Sequence, residues 1–180
     1  MSSIKQNGRF CPLNKPASLR KACAAAHEIL VGREDVDPGR TAAFGYCFGA
    51  QALLEYARTG TDLAAIVGFH PGLGTNRPEE ARSIRSSLLM FVGADDPITP
   101  RVRRNAFEDE MSAAGVPWRM VVYSGVAHAF TNPSVDERGM PGFAYDRSAD
   151  TDSWNTALAF IETAFWQKRG PSLIKSDASK

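Results

Sequence analysis

Residues 42–50 read AAFGYCFGA, an apolar run that reaches a cysteine and continues with helix-forming residues. The spacing G-x-C-x-G puts Gly45 and Gly49 two positions before and after Cys47. A residue projected from a sharp strand-to-helix turn has a strained backbone, and neighbours without bulk allow that turn to form. The stretch therefore predicts a nucleophile elbow in which a thiol holds the position usually taken by serine.

The chemistry of Cys47 has two interpretations. A helix that begins at about Phe48 points its unpaired backbone N–H groups at the sulfur, and a helix N-terminus lowers the pKa of a thiol. Cys47 would then be partly thiolate at neutral pH. In the alternative, Cys47 is a buried and inert core thiol, as many free cysteines are.

Composition restricts the class of protein. The chain has 180 residues, is 43% hydrophobic and carries a net charge of +1, which indicates one globular domain and gives no bulk attraction to nucleic acid or a membrane. Its three cysteines have no metal-ligand spacing, and their odd number argues against a disulfide framework. We find no apolar leader or membrane span in the sequence. We expect a cytoplasmic protein with no metal or other cofactor.

Apolar periodicity predicts alternating helices and strands. We expect residues 1–17 to form a lead-in loop, 18–167 a partial α/β domain and 168–180 a disordered tail. Helices are predicted from Ser18 to Gly32 and at 49–59, 101–114 and 151–166; strands at 41–46, 63–69, 87–92 and 118–123. The last helix should bury Trp154 and Leu158, among other residues. This order favours a parallel sheet flanked by helices.

Chemically useful side chains follow the ends of these strands, where ligands bind in open parallel sheets. Cys47 follows the first strand, His70 the second, Asp95 and Asp96 the third, and His128 the fourth. The chain order of nucleophile, acid and histidine is that of α/β-hydrolases. A histidine beside the thiol and a carboxylate beside the histidine would form a catalytic triad.

Three segments resemble the dienelactone hydrolase family, the cysteine branch of the α/β-hydrolase fold. They are GYCFG at 45–49, GADDPITP at 93–100 and HAF at 128–130. The resemblance implies Cys47 as nucleophile, His128 as base and Asp96, rather than Asp95, as the acid. It also implies hydrolysis of carboxylic esters or lactones through a thioester acyl-enzyme.

Further roles are expected around this triad. The backbone N–H of Phe48 should be one oxyanion donor. His70 is either a pocket wall or a structural histidine, and aromatic residues near an elbow are either pocket or core. Where family members that act on dienelactone have an arginine, four residues after the histidine, this sequence has Asn132, so the dienelactone is only one candidate among esters, lactones and thioesters. The predicted substrate pocket comprises Tyr46, His70, Phe130 and Asn132.

The resemblance covers only the later part of the family's domain. Family members carry several strands before the elbow, including one whose following loop supplies the second oxyanion N–H, and about four strands are expected here. The strand at 41–46 would then be an exposed edge, through which a homo-oligomer could form. Two other functions stay open: a catalytically silent remnant that acts as an oligomerising or binding module, and a redox-responsive thiol protein.

Overall fold

The computed structural model describes residues 15–169 of the chain. None of the helices in this part combines the length and apolar character needed to cross a lipid bilayer. Short 3₁₀ segments occur at Pro38–Arg40, Pro78–Ser83 and Pro133–Arg138. The main elements, in chain order, are α1 (Pro16–Val31), β1 (Ala42–Tyr46), α2 (Phe48–Ala57), β2 (Ala65–Phe69), β3 (Ser87–Gly93), α3 (Arg101–Ala114), β4 (Trp118–Tyr123) and α4 (Arg147–Arg169).

The four strands form one parallel sheet whose spatial order, β1-β2-β3-β4, is the order along the chain. Every residue of β2 is buried, as are all but the first of β3, which explains their nearly unbroken apolar sequences. The predicted parallel sheet of four strands flanked by helices is confirmed.

Each face of the sheet carries its own hydrophobic core. On one face Ile66, Leu88 and Met90 pack with residues of α2 and α3, including Leu54 and Phe107. On the other face α4 packs against residues that alternate with the first set along the strands, namely Ala65, Val67, Phe69, Leu89 and Phe91. Because successive side chains of a strand point to opposite faces, the two helical layers are held by one set of strands.

The face of α4 differs from the prediction. Trp154 and Leu158 are each 43% exposed, whereas Ala157, Ile161 and Ala164 are buried. The small residues let the helix approach the sheet closely, and the large ones lie at its sides. The expectation that Trp154 and Leu158 are core residues is therefore wrong.

Two helices begin earlier than predicted. α1 begins at Pro16, where proline suits the first helical position because its missing N–H would have no partner there. α4 begins at Arg147, and the Asp146 carboxylate accepts a hydrogen bond from the backbone N–H of Ala149 at 2.8 Å. Most of the predicted lead-in loop and of the predicted tail lies outside the described residues.

Strand β1 is an edge of the sheet, because within residues 15–169 it pairs only with β2. Aromatic side chains cover this edge region and stay partly exposed: Phe44 by 38%, Tyr46 by 45% and Trp154 by 43%. The rings of Phe44 and Trp154 lie 5.3 Å apart. Pairing of this edge with a second chain is still a prediction.

We expect the protein to self-associate through β1, because an apolar parallel edge leaves backbone N–H and C=O groups unpaired. Phe44→Lys should shift the molar mass towards that of a monomer, since a lysine disfavours edge pairing. Light scattering after size exclusion measures this. Val122→Lys is the matched control because Val122 is a comparably exposed apolar residue on β4, the opposite edge strand. A clean monomer of the unmodified chain would contradict the prediction.

A buried ion-pair network ties the helices on one face together. Arg58, at the end of α2, is 3% exposed and donates to the Glu110 carboxylate of α3 at 2.7 and 2.9 Å. Arg58 also reaches the buried Glu55, whose second oxygen accepts from Arg20 of α1 at 2.8 Å. Burial raises the pKa of Glu110, an effect that Arg58 opposes.

Arg58→Met should lower the free energy of unfolding by about 3–5 kcal/mol, because it leaves Glu110 buried without a cationic partner. Urea denaturation at neutral pH measures the change. The control is Arg33→Ala, which removes an ion pair with Asp35 between two side chains that are 59% and 67% exposed. That substitution should leave the free energy of unfolding nearly unchanged, because ion pairs between exposed side chains contribute little. Equal effects of the two substitutions would contradict the prediction.

Candidate active site

Cys47 lies at the turn between β1 and α2 in a strained backbone conformation, with φ 49° and ψ −115°. Two backbone hydrogen bonds hold it: its N–H donates to the carbonyl of Phe69 at 2.9 Å, and its carbonyl accepts from the N–H of Gln51 at 3.2 Å. A Cβ on Gly45 would lie 2.5 Å from the Cα of Ala50, so the helix can pack on the strand only with glycine at 45. A Cβ on Gly49 would meet nothing within 4 Å. Of the two glycines in the motif, only Gly45 is required by packing.

The structure brings Cys47, His128 and Asp96 together at the carboxyl end of the sheet. The Nε2 of His128 lies 3.2 Å from the Cys47 sulfur, and Nδ1 lies 2.7 Å from Oδ2 of Asp96. The other oxygen of Asp96 accepts from the backbone N–H groups of Ile98 and Thr99 at 2.7 and 3.2 Å. Asp96 and His128 are buried, whereas Asp95 and Cys47 are exposed. These contacts fix the carboxylate and the ring behind an accessible sulfur.

Cys47, His128 and Asp96 form a row of contacts, and the electrostatics of this row favour a charged pair of Cys47 and His128. Hydrogen bonding to His128 lowers the pKa of the Cys47 thiol, against the effect of burial, and the backbone N–H of Phe48 lowers it further. Burial alone would lower the pKa of His128, but its hydrogen bonds to Asp96 and Cys47 raise it to about 9. Both shifts favour a thiolate beside an imidazolium at neutral pH.

His70 lies at the end of β2 beside the same row. It is 3% exposed, and its ring centroid lies 5.0 Å from that of His128, with the two planes 69° apart. Its Nε2 lies 2.9 Å from the hydroxyl of Thr131, while its Nδ1 is buried with no hydrogen-bond partner. Burial lowers the pKa of His70 to about 4, so the ring is neutral at neutral pH.

A cleft of about 540 Å³ opens over the sulfur. Of the four predicted pocket residues, Tyr46, His70 and Asn132 line it. Phe130 does not: it is fully buried, and its ring centroid lies 5.3 Å from that of His70 and 5.6 Å from that of Tyr123, both in edge-to-face arrangements. The prediction of Phe130 as a pocket residue is wrong, because its ring packs in the core against His70 and does not line the cleft. Additional lining residues are Ala129, Thr131, Val135, Arg138, Met140, Phe143 and Asp150.

Two loops of the site approach each other closely through their backbones: the acid loop, residues 93–100, and the histidine loop, which carries His128. A Cβ on Gly93 would lie 2.1 Å from the carbonyl oxygen of Val126, so any larger residue at 93 would push the two loops apart. Two backbone hydrogen bonds also hold the histidine loop. The N–H of His128 donates to the carbonyl of Gly142, and the carbonyl of His128 accepts from the N–H of Ala144. The position of the imidazole therefore depends on backbone contacts on both sides.

Backbone strain is concentrated at this site. Among the described residues, the non-glycine residues with positive φ are Cys47, His70 and Ala129, and all three line the cleft. Such conformations cost about 1–3 kcal/mol each and persist where the surrounding structure imposes them.

Reasoning from the sequence also missed two residues that hold predicted site residues in place. Thr131 bonds the ring of His70, and buried Thr99 holds Asp96 through its N–H while its hydroxyl donates to the carbonyl of Pro71 at 2.6 Å. Both lie three residues after a predicted site residue, His128 or Asp96, within the same loop. Their position shortly after a predicted site residue, in the same loop, is the sequence signal that could have identified them.

A parallel sheet that presents an elbow cysteine, an acid loop and a histidine loop at one edge defines an α/β-hydrolase-like protein. Within that class, the chain belongs to the dienelactone hydrolase family, whose sequence model matches residues 11–165.

Individual relatives differ in how much of their length this chain spans. An uncharacterized protein of Caenorhabditis elegans, K02A2.1, is 29% identical over 84% of this chain and 98% of its own. The hydrolase tropI of Talaromyces stipitatus is 26% identical over 69% of this chain and 43% of its own. A crystal structure from metagenomic libraries, the dienelactone hydrolase-like promiscuous phosphotriesterase P91, is 36% identical with a TM-score of 0.78, over 83% of this chain and 63% of its own.

The two glycines of the elbow should respond differently to alanine. Gly45→Ala should lower the free energy of unfolding by about 1–3 kcal/mol or more, because the added methyl overlaps the backbone of Ala50. Gly49→Ala lies in α2 with open space around it and should be neutral or stabilise the fold by up to about 1 kcal/mol. Thermal unfolding followed by circular dichroism compares the two, and similar losses would contradict the assignment.

Proposed function

We propose that the protein hydrolyses carboxylic esters or lactones, with Cys47 as nucleophile, His128 as general acid and base, and Asp96 as the group that orients His128. The observation that supports this most directly is the continuous row of contacts: sulfur to Nε2 at 3.2 Å, then Nδ1 to carboxylate at 2.7 Å. Family membership supports the same reaction class.

The proposed reaction has two halves. The Cys47 thiolate attacks the carbonyl carbon, and the resulting tetrahedral adduct expels the alkoxide, which takes the proton from His128 Nε2. A thioester and the free alcohol result. Neutral His128 then takes a proton from water, whose oxygen attacks the thioester, and the thiolate leaves as the carboxylic acid forms. Asp96 keeps Nδ1–H oriented and stabilises the imidazolium in both halves.

The negative charge that develops on the carbonyl oxygen of the substrate needs hydrogen-bond donors to stabilise it. The backbone N–H of Phe48, the first residue of α2, is the proposed donor, because it follows the nucleophile and already lies close enough to lower the pKa of the sulfur. The resemblance places a second donor after a strand that precedes the elbow strand. Between residues 15 and 41 the structure contains α1 and a 3₁₀ segment but no strand. One oxyanion donor typically contributes about 10²–10³-fold to turnover.

The cleft favours an uncharged substrate. Asn132 lines it where dienelactone-active family members have an arginine, and the lining includes one acidic residue, Asp150, and one arginine, Arg138. Aromatic side chains of Tyr46 and Phe143 supply apolar surface for an aryl or alkyl group. A neutral aryl ester of a short carboxylic acid is therefore the appropriate first substrate.

Hydrolysis of such an ester should depend on Cys47, His128 and Asp96. Cys47→Ala should reduce it to background, and His128→Ala should lower turnover by about 10²–10⁴-fold because proton transfer is lost. Asp95→Asn is the matched control for Asp96→Asn: Asp95 is exposed, and only the change at 96 should impair turnover. Release of the phenol, followed spectroscopically, measures this. Equal activity of the unmodified chain and Cys47→Ala would refute the proposal.

Thiol reactivity tests the activation of Cys47 without turnover. Because its pKa is lowered, the thiolate fraction persists below the ordinary thiol pKa, and iodoacetamide should alkylate Cys47 rapidly at pH 7. In His128→Ala the pH at which the rate rises should move up towards that of an ordinary thiol. Cys23, whose pKa is raised by burial, is the internal comparison in the same peptide map. A rate profile that His128→Ala leaves unchanged would contradict the activation.

A second substrate class follows from the likeness to P91, which is described as a promiscuous phosphotriesterase. A neutral aryl phosphotriester presents phosphorus to the same thiolate and releases the same kind of phenol. Hydrolysis of both substrates with the same dependence on Cys47 and His128 would place both reactions at this site. If neither substrate turns over and Cys47 is nevertheless highly reactive, the redox-responsive thiol becomes the better interpretation.

A further inference from the structure

Three metal-binding side chains converge at the base of the cleft. The Cys47 sulfur and one ring nitrogen each of His70 and His128 all lie within 4.8 Å of one another. The proposed reaction uses Cys47 and His128 but gives no role to the ring of His70. That ring is 97% buried, and its Nδ1 has no hydrogen-bond partner.

The donor set is one that Zn²⁺ prefers. Thiolate and neutral imidazole select Zn²⁺ over hard cations such as Mg²⁺ and Ca²⁺, and three protein ligands with an open fourth position are typical of a tetrahedral zinc site. Zn–S and Zn–N distances of about 2.3 and 2.0 Å place tetrahedral ligands about 3.5 Å apart. The sulfur and Nε2 of His128 are already 3.2 Å apart. Rotation of the exposed Cys47 side chain and a shift of the ligand atoms by about 1 Å would bring all three to tetrahedral zinc-ligand distances.

Both histidines have the outer hydrogen bonds that zinc ligands normally have. Nδ1 of His128 bonds the Asp96 carboxylate at 2.7 Å, which leaves Nε2 for a metal. Nε2 of His70 bonds the Thr131 hydroxyl at 2.9 Å, which leaves Nδ1. Such partners fix the ring orientation and the protonated nitrogen, and their loss typically weakens metal binding about 10–100-fold.

We infer that Cys47, His70 and His128 form a binding site for Zn²⁺, and that the bound ion silences the thiol. Zinc takes the place of the proton shared by Cys47 and His128, because ligating sulfur and nitrogen must both be deprotonated. The lone pairs needed for attack and for proton transfer are then occupied. The inhibitory part of this inference rests on the proposed function; the binding part does not.

Metal binding is tested with Co²⁺, a coloured substitute for Zn²⁺, on the full chain carrying Cys11→Ser and Cys23→Ser, so that Cys47 is the sole thiol. We expect a thiolate-to-cobalt charge-transfer band that saturates at one ion per chain and is displaced by Zn²⁺. His70→Phe, which keeps an aromatic ring, should weaken binding about 100-fold or more, and Thr131→Val about 10-fold. His27→Gln, on α1, is the histidine control and should leave the affinity unchanged.

Protection of the thiol gives an independent readout. Zn²⁺ should slow alkylation of Cys47 by iodoacetamide, and a chelator should restore the rate. In His70→Phe we compare the alkylation rates of the same variant with and without Zn²⁺, and we expect Zn²⁺ no longer to slow the reaction. Circular dichroism of each variant establishes that it folds, and Thr131→Val keeps the inference testable if His70→Phe does not.

No charge-transfer band, or equal affinities of the unmodified, His70→Phe and Thr131→Val chains, would overturn the inference. Neither readout needs turnover. Ester hydrolysis without metal binding would therefore remove only this inference. Metal binding without ester hydrolysis would remove the proposed function and the inhibitory part of the inference, and would leave the binding part.

Discussion

The hydrogen bond between the Asp96 carboxylate and the His128 ring is the contact on which the rest of the site depends. Both groups are buried, so each would be costly to leave without a partner, and the bond presents Nε2 to the Cys47 sulfur. Its geometry is set by backbone: Thr99 holds the carboxylate, and the absence of a side chain at Gly93 lets the two loops meet. The lowered pKa of the thiol follows from this arrangement, since its largest cause is His128.

The sequence was informative where one local rule determined the outcome. Unbroken apolar runs predicted the buried strands β2 and β3, and turn residues after each strand predicted which loops carry polar side chains. Parallel strands place the ends that follow them at one edge, so Cys47, Asp96 and His128 could be assigned to one neighbourhood without coordinates. Their distances could not, because these depend on close contacts such as that between Gly93 and Val126.

Other features depended on packing between elements distant in the chain. Phe130 looked like a pocket residue because it lies two positions after His128, yet it is fully buried beneath His70. Trp154 looked like a core residue from its helical spacing, but the sheet ends at β1 within the described residues, and the ring lies half-exposed beside that edge. His70 could be assigned to the same edge because it follows the second strand, but its approach to within 4.8 Å of the sulfur could not be predicted, since a helix and a strand separate the two residues in the chain.

The sequential order of the strands also separates the parts of the site in time during biosynthesis. The ribosome delivers Cys47 first and the histidine that contacts its sulfur 81 residues later. Until β4 docks on β3, the contact that most lowers the pKa of the thiol is absent. The acidity of the thiol therefore depends on the last of the four strands to be synthesised.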